Sequence, residues 1–597
     1  MNDNANVNVR FLPADRTASF PAGTKVLDAI RHLHLELAAF CGGYGVCGRC
    51  KVQIQGAPTD ITPEDRITFT AEELAAGYRL ACRARMQQDC TVVIPATEEA
   101  QEADILSDGA LRHVPLHPAV QTRPFQLTPP TLADSTSDED LLQTMDPACT
   151  LPPQLLPTLA DRLRSLHFQG NAVLVDNTLI QLQPATDHAK YGIAVDLGTT
   201  TVVCKLVDLN SGAVIATHSE LNRQRPFSED VIGRIQYAEK GPQECRQLQQ
   251  AVLDLLNDAI KAMCSRTRVD PQHIFQIVVA GNTVMEHLFL GLDGRHLAQM
   301  PYIPVFRKAQ RRPARELELQ VHPLAEVYLL PIIGRFVGGD TTAVLLSLAD
   351  RLDHTWLAVD IGTNGEMILH QNGRLWSTSA AAGPAFEGAH ISQGMRAGQG
   401  AIDRVSVQDG RLQAHVIGEV PAIGICGSGL IDAVGSLLAI QGLNLTGRLQ
   451  INDKDIFAGQ SNGQGVVRLS AEAGEVLLTQ ADIREVQLAK SAIATAIQIL
   501  LKNAGVAPDQ LDAVYLAGAF GQYIRKDMAC AIGLLPAVPL QKIHFIGNAA
   551  YVGAQLVLSS VQERARAEEL ARSVRYVEVA SDPDFQDLFA ENCFFPG

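Results

Sequence analysis

The 597-residue sequence predicts a multidomain α/β chain, and three observations carry that expectation. Four cysteines near the start, Cys41, Cys47, Cys50 and Cys82, lie among short β-like runs. A proline-dense stretch over 112–158 separates them from the remainder of the chain. From about 189 the texture becomes a long α/β alternation with an internal repeat. Tyr191-Gly-Ile-Ala-Val-Asp196-Leu-Gly198-Thr199-Thr200-Thr201 returns 164 positions later as Trp356-Leu-Ala-Val-Asp360-Ile-Gly362-Thr363-Asn364-Gly365-Glu366. The predicted divisions are 1–95, a linker over 96–124, a small α/β middle domain over 125–188 and a large unit over 189–597.

In the first unit, β-like runs Val7–Phe11, Lys51–Ile54 and Thr91–Ile94 flank one helical stretch, about Val26 to Ala38. The helix leads into Cys41-Gly-Gly-Tyr-Gly-Val-Cys47-Gly-Arg-Cys50, and the fourth thiol lies in Arg79-Leu-Ala-Cys82. Four thiolates are what a two-iron cluster requires, and the glycines let the backbone wrap tightly around sulfur. The spacing is that of a [2Fe–2S] ferredoxin loop, with a first gap one residue longer than the plant type. It resembles adrenodoxin-like ferredoxins and ferredoxin domains fused to larger enzymes, which implies a β-grasp fold. Zinc sites usually offer two CxxC-like pairs, and disulfides suit small secreted domains, so both fit less well. Cys90 reads as a buried structural thiol.

Composition is that of an ordinary globular protein, 46% hydrophobic and 19% charged. A net charge of −16, without a basic stripe, argues against nucleic acid. No stretch is apolar enough for a bilayer. The start has neither a basic n-region nor an apolar h-region, so the cytoplasm is the expected compartment. Eight scattered cysteines fit a reducing environment. In the middle stretch, helix is expected at Leu155–Leu166 and strand at Ala172–Val175 and Thr178–Leu182; sequence assigns it only a connecting role.

Each copy of the repeat is an apolar strand, an Asp, then Gly-Thr and a second apolar run, hence a β-hairpin. A Gly-Thr tip offers backbone N–H groups and a hydroxyl to phosphate oxygens. Asp196 and Asp360 can hold Mg²⁺ beside them. Two such tips can grip phosphates from opposite walls of a cleft. A third glycine turn comes after Ala513–Leu516, in Ala517-Gly518-Ala519-Phe520-Gly521, and suits a nucleoside. These three motifs, in this order, resemble the phosphate-1, phosphate-2 and adenosine motifs of the sugar kinase/Hsp70/actin (ASKHA) superfamily, which implies a two-lobed ATP-binding domain. Gly281 and Asn282, ending an apolar strand, are candidates to face the γ-phosphate. Gly427 and Ser428 precede a helix that Ser428 is expected to cap. Gly338-Gly339-Asp340 opens another helix. Glu366 is the candidate to orient water or metal. The helix Gln562–Arg572 reads as a solvated surface.

A ferredoxin joined to an ASKHA core resembles, over nearly the whole chain, the reductive activators of corrinoid proteins. Ala382-Gly-Pro-Ala-Phe-Glu-Gly388, Ile425-Cys-Gly-Ser-Gly429 and Gln487-Leu-Ala-Lys490 are similar to that family. The resemblance implies ATP-dependent, one-electron reduction of Co(II) to Co(I) on a corrinoid protein of a methyltransferase system, fed by an upstream electron donor, and a homodimer. On this reading Cys41, Cys47, Cys50 and Cys82 hold the cluster. Asp196, Gly198, Thr199, Thr200, Asp360, Gly362, Thr363 and Asn364 hold Mg–ATP phosphates, and Gly518 and Ala519 border the adenosine. Co(I) is a strong reductant, and about 59 mV corresponds to roughly 1.4 kcal/mol for one electron. A switch with about 5.5 kcal/mol of differential binding therefore spans on the order of 230 mV. Other readings are a small-molecule kinase with a redox-sensing domain, a radical-dehydratase activator, or an ATP-dependent clamp for a metalloprotein.

Overall fold

The computed structural model describes residues 6–33, 35, 37, 50–56, 60–95, 112, 114–145, 147–362, 364–388, 390–408, 410–450, 457–461, 464–470, 475–518 and 523–597. The chain opens with β1 (Asn6–Leu12), β2 (Arg16–Pro21) and helix α1 (Val26–His32). It continues with β3 (Lys51–Gln55), α2 (Pro63–Thr68), β4 (Tyr78–Leu80) and β5 (Cys90–Val93). The five strands form one sheet in the order β2-β1-β5-β3-β4, with β1 and β5 parallel. Strict alternation in β1 buries Val7, Val9 and Phe11 on the face that α1 covers with Leu27 and Ile30. Helix α1 ends at His32, short of the expected Ala38; Leu33 caps it with a bond to the Ala29 carbonyl, and Ala38 lies outside the described residues. Cys90 is buried, as expected for a packed thiol.

A small three-stranded antiparallel sheet comes next, from β6 (Val120–Gln126), β7 (Gln169–Val175) and β8 (Thr178–Gln183), in the order β8-β7-β6. Between β6 and β7 run α3 (Asp138–Met145) and α4 (Leu156–Ser165), whose Leu142, Leu159 and Leu163 pack on one face of the sheet. The other face, through Val120, Val173 and Ile180, joins the core of the large unit.

Two further sheets share one plan. The first holds β9 (Tyr191–Leu197), β10 (Thr201–Asp208), β11 (Val214–Leu221), β12 (Ile274–Gly281), β13 (Gln310–Pro313) and β14 (Glu326–Leu329), ordered β11-β10-β9-β12-β14-β13. Its helices include α5 (Val231–Ala238), α6 (Pro242–Thr267), α7 (Thr283–Phe289) and α8 (Gly339–Ser347). The second holds β15 (Trp356–Ile361), β16 (Gly365–Gln371), β17 (Arg374–Ala380), β18 (Ala513–Ala517), β19 (Ile543–Gly547) and β20 (Val574–Tyr576), ordered β19-β18-β15-β16-β17-β20. Helices in this half of the chain include α9 (Gly427–Ala439), α10 (Gln480–Ala504), α11 (Ala549–Ser559), which packs back on β9 and β12 of the first sheet, and α12 (Val561–Ser573). In each sheet an antiparallel three-strand meander leads into a parallel strand at its inner edge. The sequence repeat is therefore a repeat of topology. The nearly unbroken apolar runs of β9 and β15 fit strands covered on both faces.

The two lobes meet where α8 packs on α11. Gly553 permits that approach, because a Cβ there would stand 2.3 Å from the Ala343 carbonyl oxygen. The expectation of a solvated helix over Gln562–Arg572 is corrected in part. Helix α12 buries Glu563, Arg564 and Ala567, with Arg564 paired to Asp176 and Glu326 and Glu563 to Arg112. These charges look solvated in sequence because their partners lie hundreds of residues away. No helix among the described residues is long and apolar enough to cross a membrane.

Candidate functional site

Both hairpin tips open into one cavity of about 310 Å³ between the lobes. Asp196, Gly198, Thr199 and Thr200 line it from the β9–β10 turn, and Asp360, Gly362, Asn364 and Glu366 from the β15–β16 turn. Gly198 is needed at its turn, since a Cβ would approach the Thr201 carbonyl oxygen to 2.5 Å. Gly518 completes the wall at the end of β18 with φ +84°; a Cβ there would strike Asp360 Oδ1 at 2.4 Å. Asn282 caps α7 through Met285 N–H and donates to Thr199 Oγ1 at 2.9 Å. Gly281 is not among the cavity-lining residues; it supports the close crossing beneath Gly338. Thr363 and Ala519 lie outside the described residues.

Gly427 and Ser428 also line the cavity, but Ser428 does not cap α9. Cys426 takes the extended cap position, and Ser428 sits inside the first turn, donating to the Asp403 carbonyl at 3.0 Å. The start of α9 has no oxygen cap: the Cys426 sulfur, a weak acceptor that an anion can displace, faces the Ser428 and Gly429 N–H groups.

Four carboxyl groups gather at the cavity: Asp196, Asp340, Asp360 and Glu366. Each keeps one face on the cleft while protein encloses the rest, and this desolvation raises their pKa values. Asp196 is pushed up to about 6, moderated by a 2.8 Å hydrogen bond from Asn548. Burial and the neighbouring Asp340 and Asp196 push Asp360 up to about 7. Asp340 moves upward mainly through burial. Glu366 is pushed upward from the ordinary glutamate value by burial, then by Asp340 and Asp360. Arg396 lines the same cavity, but no positive group is among the causes of these four shifts. No three metal-ligating side chains converge among the described residues. That suits a magnesium ion held by one or two carboxylates together with nucleotide phosphates, rather than an all-protein cage.

The second wall also supplies Glu387, which accepts a 2.9 Å hydrogen bond from Thr200 Oγ1 across the cleft. Asp340, Asn548 and Glu387 are functional candidates that sequence motifs did not assign. Asp340 had a local signal in its Gly-Gly-Asp helix start and Glu387 lies in the family-like segment 382–388, whereas Asn548 depends on tertiary placement alone.

In the first unit, Cys50 and Cys82 are buried with their sulfurs 3.3 Å apart. That is well beyond a disulfide of about 2.05 Å, and the convergence of two thiols in a buried pocket fits ligands of a shared metal centre. Cys41 and Cys47 lie outside the described residues.

Three known families match successive parts of the chain. Residues 9–87 match the family "2Fe-2S iron-sulfur cluster binding domain", 191–352 match "RACo middle region", and 354–597 match "C-terminal domain of RACo the ASKHA domain". The chain is 32% identical over 589 residues to the corrinoid activation enzyme RamQ of Eubacterium limosum, covering 96% of each chain. It is 27% identical over 436 residues to a Co(II) methylated amine-specific corrinoid protein reductase of Methanosarcina barkeri, covering 67% of this chain and 76% of that one. The solved structure of a "Reductive activator for corrinoid,iron-sulfur protein" superposes with a TM-score of 0.73 at 31% identity, covering 99% and 98% of the two chains.

Proposed function

We propose, since this chain belongs to the family of reductive activators of corrinoid proteins, that it restores a corrinoid protein of a methyltransferase system from Co(II) to Co(I) at the expense of ATP. The observation that supports this most directly is the pairing of two Asp-x-Gly-Thr/Asn hairpins around one cavity in a chain that also carries the ferredoxin unit. A [2Fe–2S] cluster held by Cys41, Cys47, Cys50 and Cys82 supplies one-electron transfer when bound. The chain's own residues do the rest. The N–H groups of the turn at 198–200 bind phosphate, with hydroxyls from Thr199 and Thr200. The turn at 362–364 faces them from the opposite wall, its Gly362 N–H bonded to the Asn364 carbonyl at 3.0 Å. Asp196 and Asp360 hold Mg²⁺, and Gly518 with Ala519 leaves room for the nucleoside. Glu366, just past the second hairpin tip and lining the cavity, orients water or the metal ion. The N-terminus of α9, with Gly427 and Ser428, steadies an anionic oxygen.

Phosphates gripped by both hairpins draw the lobes together, and hydrolysis releases them, so ATP turnover becomes movement of one lobe against the other. The electron donor is a separate reduced protein, the compartment is the cytoplasm, and two copies of the chain pair. An anaerobic assay of Co(II) corrinoid-protein reduction, with and without Mg–ATP, tests the reading. Reduction that depends on ATP is the expected result, and equal yields would sink it. EPR of the reduced protein reports whether the four-cysteine site holds a two-iron cluster.

A further inference from the structure

The ferredoxin unit touches the first lobe through Arg31 of α1. This guanidinium is buried, 7% exposed, although it belongs to a different unit from its partners. Its Nε donates to the Pro226 carbonyl at 2.7 Å and its Nη2 to the Phe227 carbonyl at 3.1 Å. It stands 5.7 Å from the Phe227 ring centre and 5.3 Å from that of Tyr237. Burial pulls its pKa below the usual guanidinium value, while Tyr237, Asp28 and the thiols of Cys50 and Cys82 oppose that shift. A crevice of about 570 Å³ opens beside this contact, between the two units.

The loop that Arg31 grips is itself bound to the first phosphate hairpin. Asn222 Nδ2 donates to the Gly198 carbonyl at 2.8 Å, and Asn222 N–H donates to the Thr200 carbonyl at 2.9 Å. One residue past Phe227, the Ser228 carbonyl accepts from Arg234 Nε at 3.0 Å. Arg234, fully buried, also donates to Gln224 Oε1 at 3.0 Å and to the Thr199 carbonyl at 2.6 Å. All three hairpin carbonyls are thus engaged from the protein side. That orientation leaves the tip's N–H groups for the cleft.

We propose that Arg31 is a positioning residue for the nucleotide site: by clamping the 222–228 loop, the docked ferredoxin unit preorganises the hairpin at Gly198–Thr200, so docking and nucleotide binding are coupled. The inference rests on the reading of that hairpin as a phosphate site. Coupling is reciprocal: whatever docking adds to nucleotide affinity, nucleotide adds to docking. The iron–sulfur unit would then be held most firmly when nucleotide is bound, and released to move when it leaves.

Full-length protein with its cluster intact by visible absorption is titrated with magnesium and the non-hydrolysable analogue AMP-PNP, and amide exchange is followed across 222–234. In the wild type the analogue should bind and slow exchange in that segment. Arg31→Ala should weaken binding by about fivefold or more and abolish the added protection, with Arg31→Lys in between. Arg16→Ala, in the same crevice but bonded to Leu33 of its own unit, should behave as wild type. Should Arg31→Ala lose its cluster, Tyr237→Leu removes one of the rings beside the guanidinium from the lobe side and should shift affinity the same way. Wild-type affinity and protection in cluster-bearing Arg31→Ala, or in Tyr237→Leu where that arm is used, overturn the coupling while leaving the phosphate site standing. Failure of the wild type to bind the analogue overturns both.

Discussion

At the scale of residues, the decisive feature is a set of enclosed carboxyl groups whose pKa values burial and mutual repulsion raise. Asp196 and Asp360 have folded pKa values of about 6 and about 7, against 3.8 for an unperturbed aspartate. The folded protein therefore binds more protons than the unfolded chain between those limits. Their contribution to the stability of the nucleotide-free protein is complete below about pH 4 and is lost as pH rises through about 6 to 7. Mg–ATP favours the ionised carboxylates, so its binding should release protons near pH 6.5 and tighten toward pH 8. Calorimetry in buffers of different ionisation enthalpy measures this; no net release at pH 6.5 would remove these aspartates from the metal site. Asp360→Asn, nearly isosteric, should lower ATP turnover by about 100-fold, the scale of a lost charge-stabilising contact, while the cluster's absorption stays unchanged. The two aspartates were legible in sequence because strand, acid and glycine turn sit within a few residues of one another. Asn548 and Arg234 were not, because each reaches the hairpins from a distant element and carries no motif of its own; Glu387 lies in the family-like segment 382–388, but its reach to Thr200 shows only in three dimensions.

At the scale of elements, legibility tracked local chemistry. The apolar runs of β9 and β15 identify themselves, and their pairing in space is a consequence of the repeat. Ser428 misled because Ser commonly caps helices; here the chain turns two residues earlier, leaving Cys426 at the cap and the serine inside. Helix α12 misled in part: Glu569 and Arg572 are exposed and Arg572 pairs with Glu568 as an i,i+4 surface pair, but Glu563 and Arg564 are buried against Arg112, Asp176 and Glu326. Helix α10 shows a capping signal that works. Thr479 accepts from Asp482 N–H, Asp482 returns a bond to Thr479 N–H at 2.8 Å, and the same carboxylate holds Ser392 N–H at 2.6 Å. Thr479→Ala should cost about 1 kcal/mol locally. Hydrogen exchange over the first turn of α10 should quicken about fivefold, with no change at its C-terminal end. Uniform quickening along the helix would show that the cap does not act locally.

At the scale of the whole molecule, two hydrogen bonds span the nucleotide cleft: Thr200 to Glu387, and Asn548 to Asp196. Both engage groups that a bound nucleotide would claim, the hydroxyl for phosphate and the aspartate for magnesium. The lobes therefore hold each other through the ligand's own partners, and binding exchanges one set of bridges for another. Glu387 illustrates the trade. Without nucleotide its carboxylate links the lobes; with nucleotide it confronts phosphate charge. Removing it should have opposite consequences in the two states. Glu387→Ala should melt at a lower temperature than wild type when ligand-free, because a cross-lobe hydrogen bond to a charged acceptor is gone. The same variant should bind Mg–AMP-PNP at least about fivefold more tightly, the effect of relieving at least roughly 1 kcal/mol of repulsion, the bulk-water value for like charges about 4 Å apart. Saturating nucleotide should then close or reverse the melting difference. Paired melting curves with and without ligand read both signs in one experiment. A variant equally destabilised in both conditions would make Glu387 a structural bridge only, and the exchange of cross-cleft bonds would no longer account for how the lobes respond to ATP.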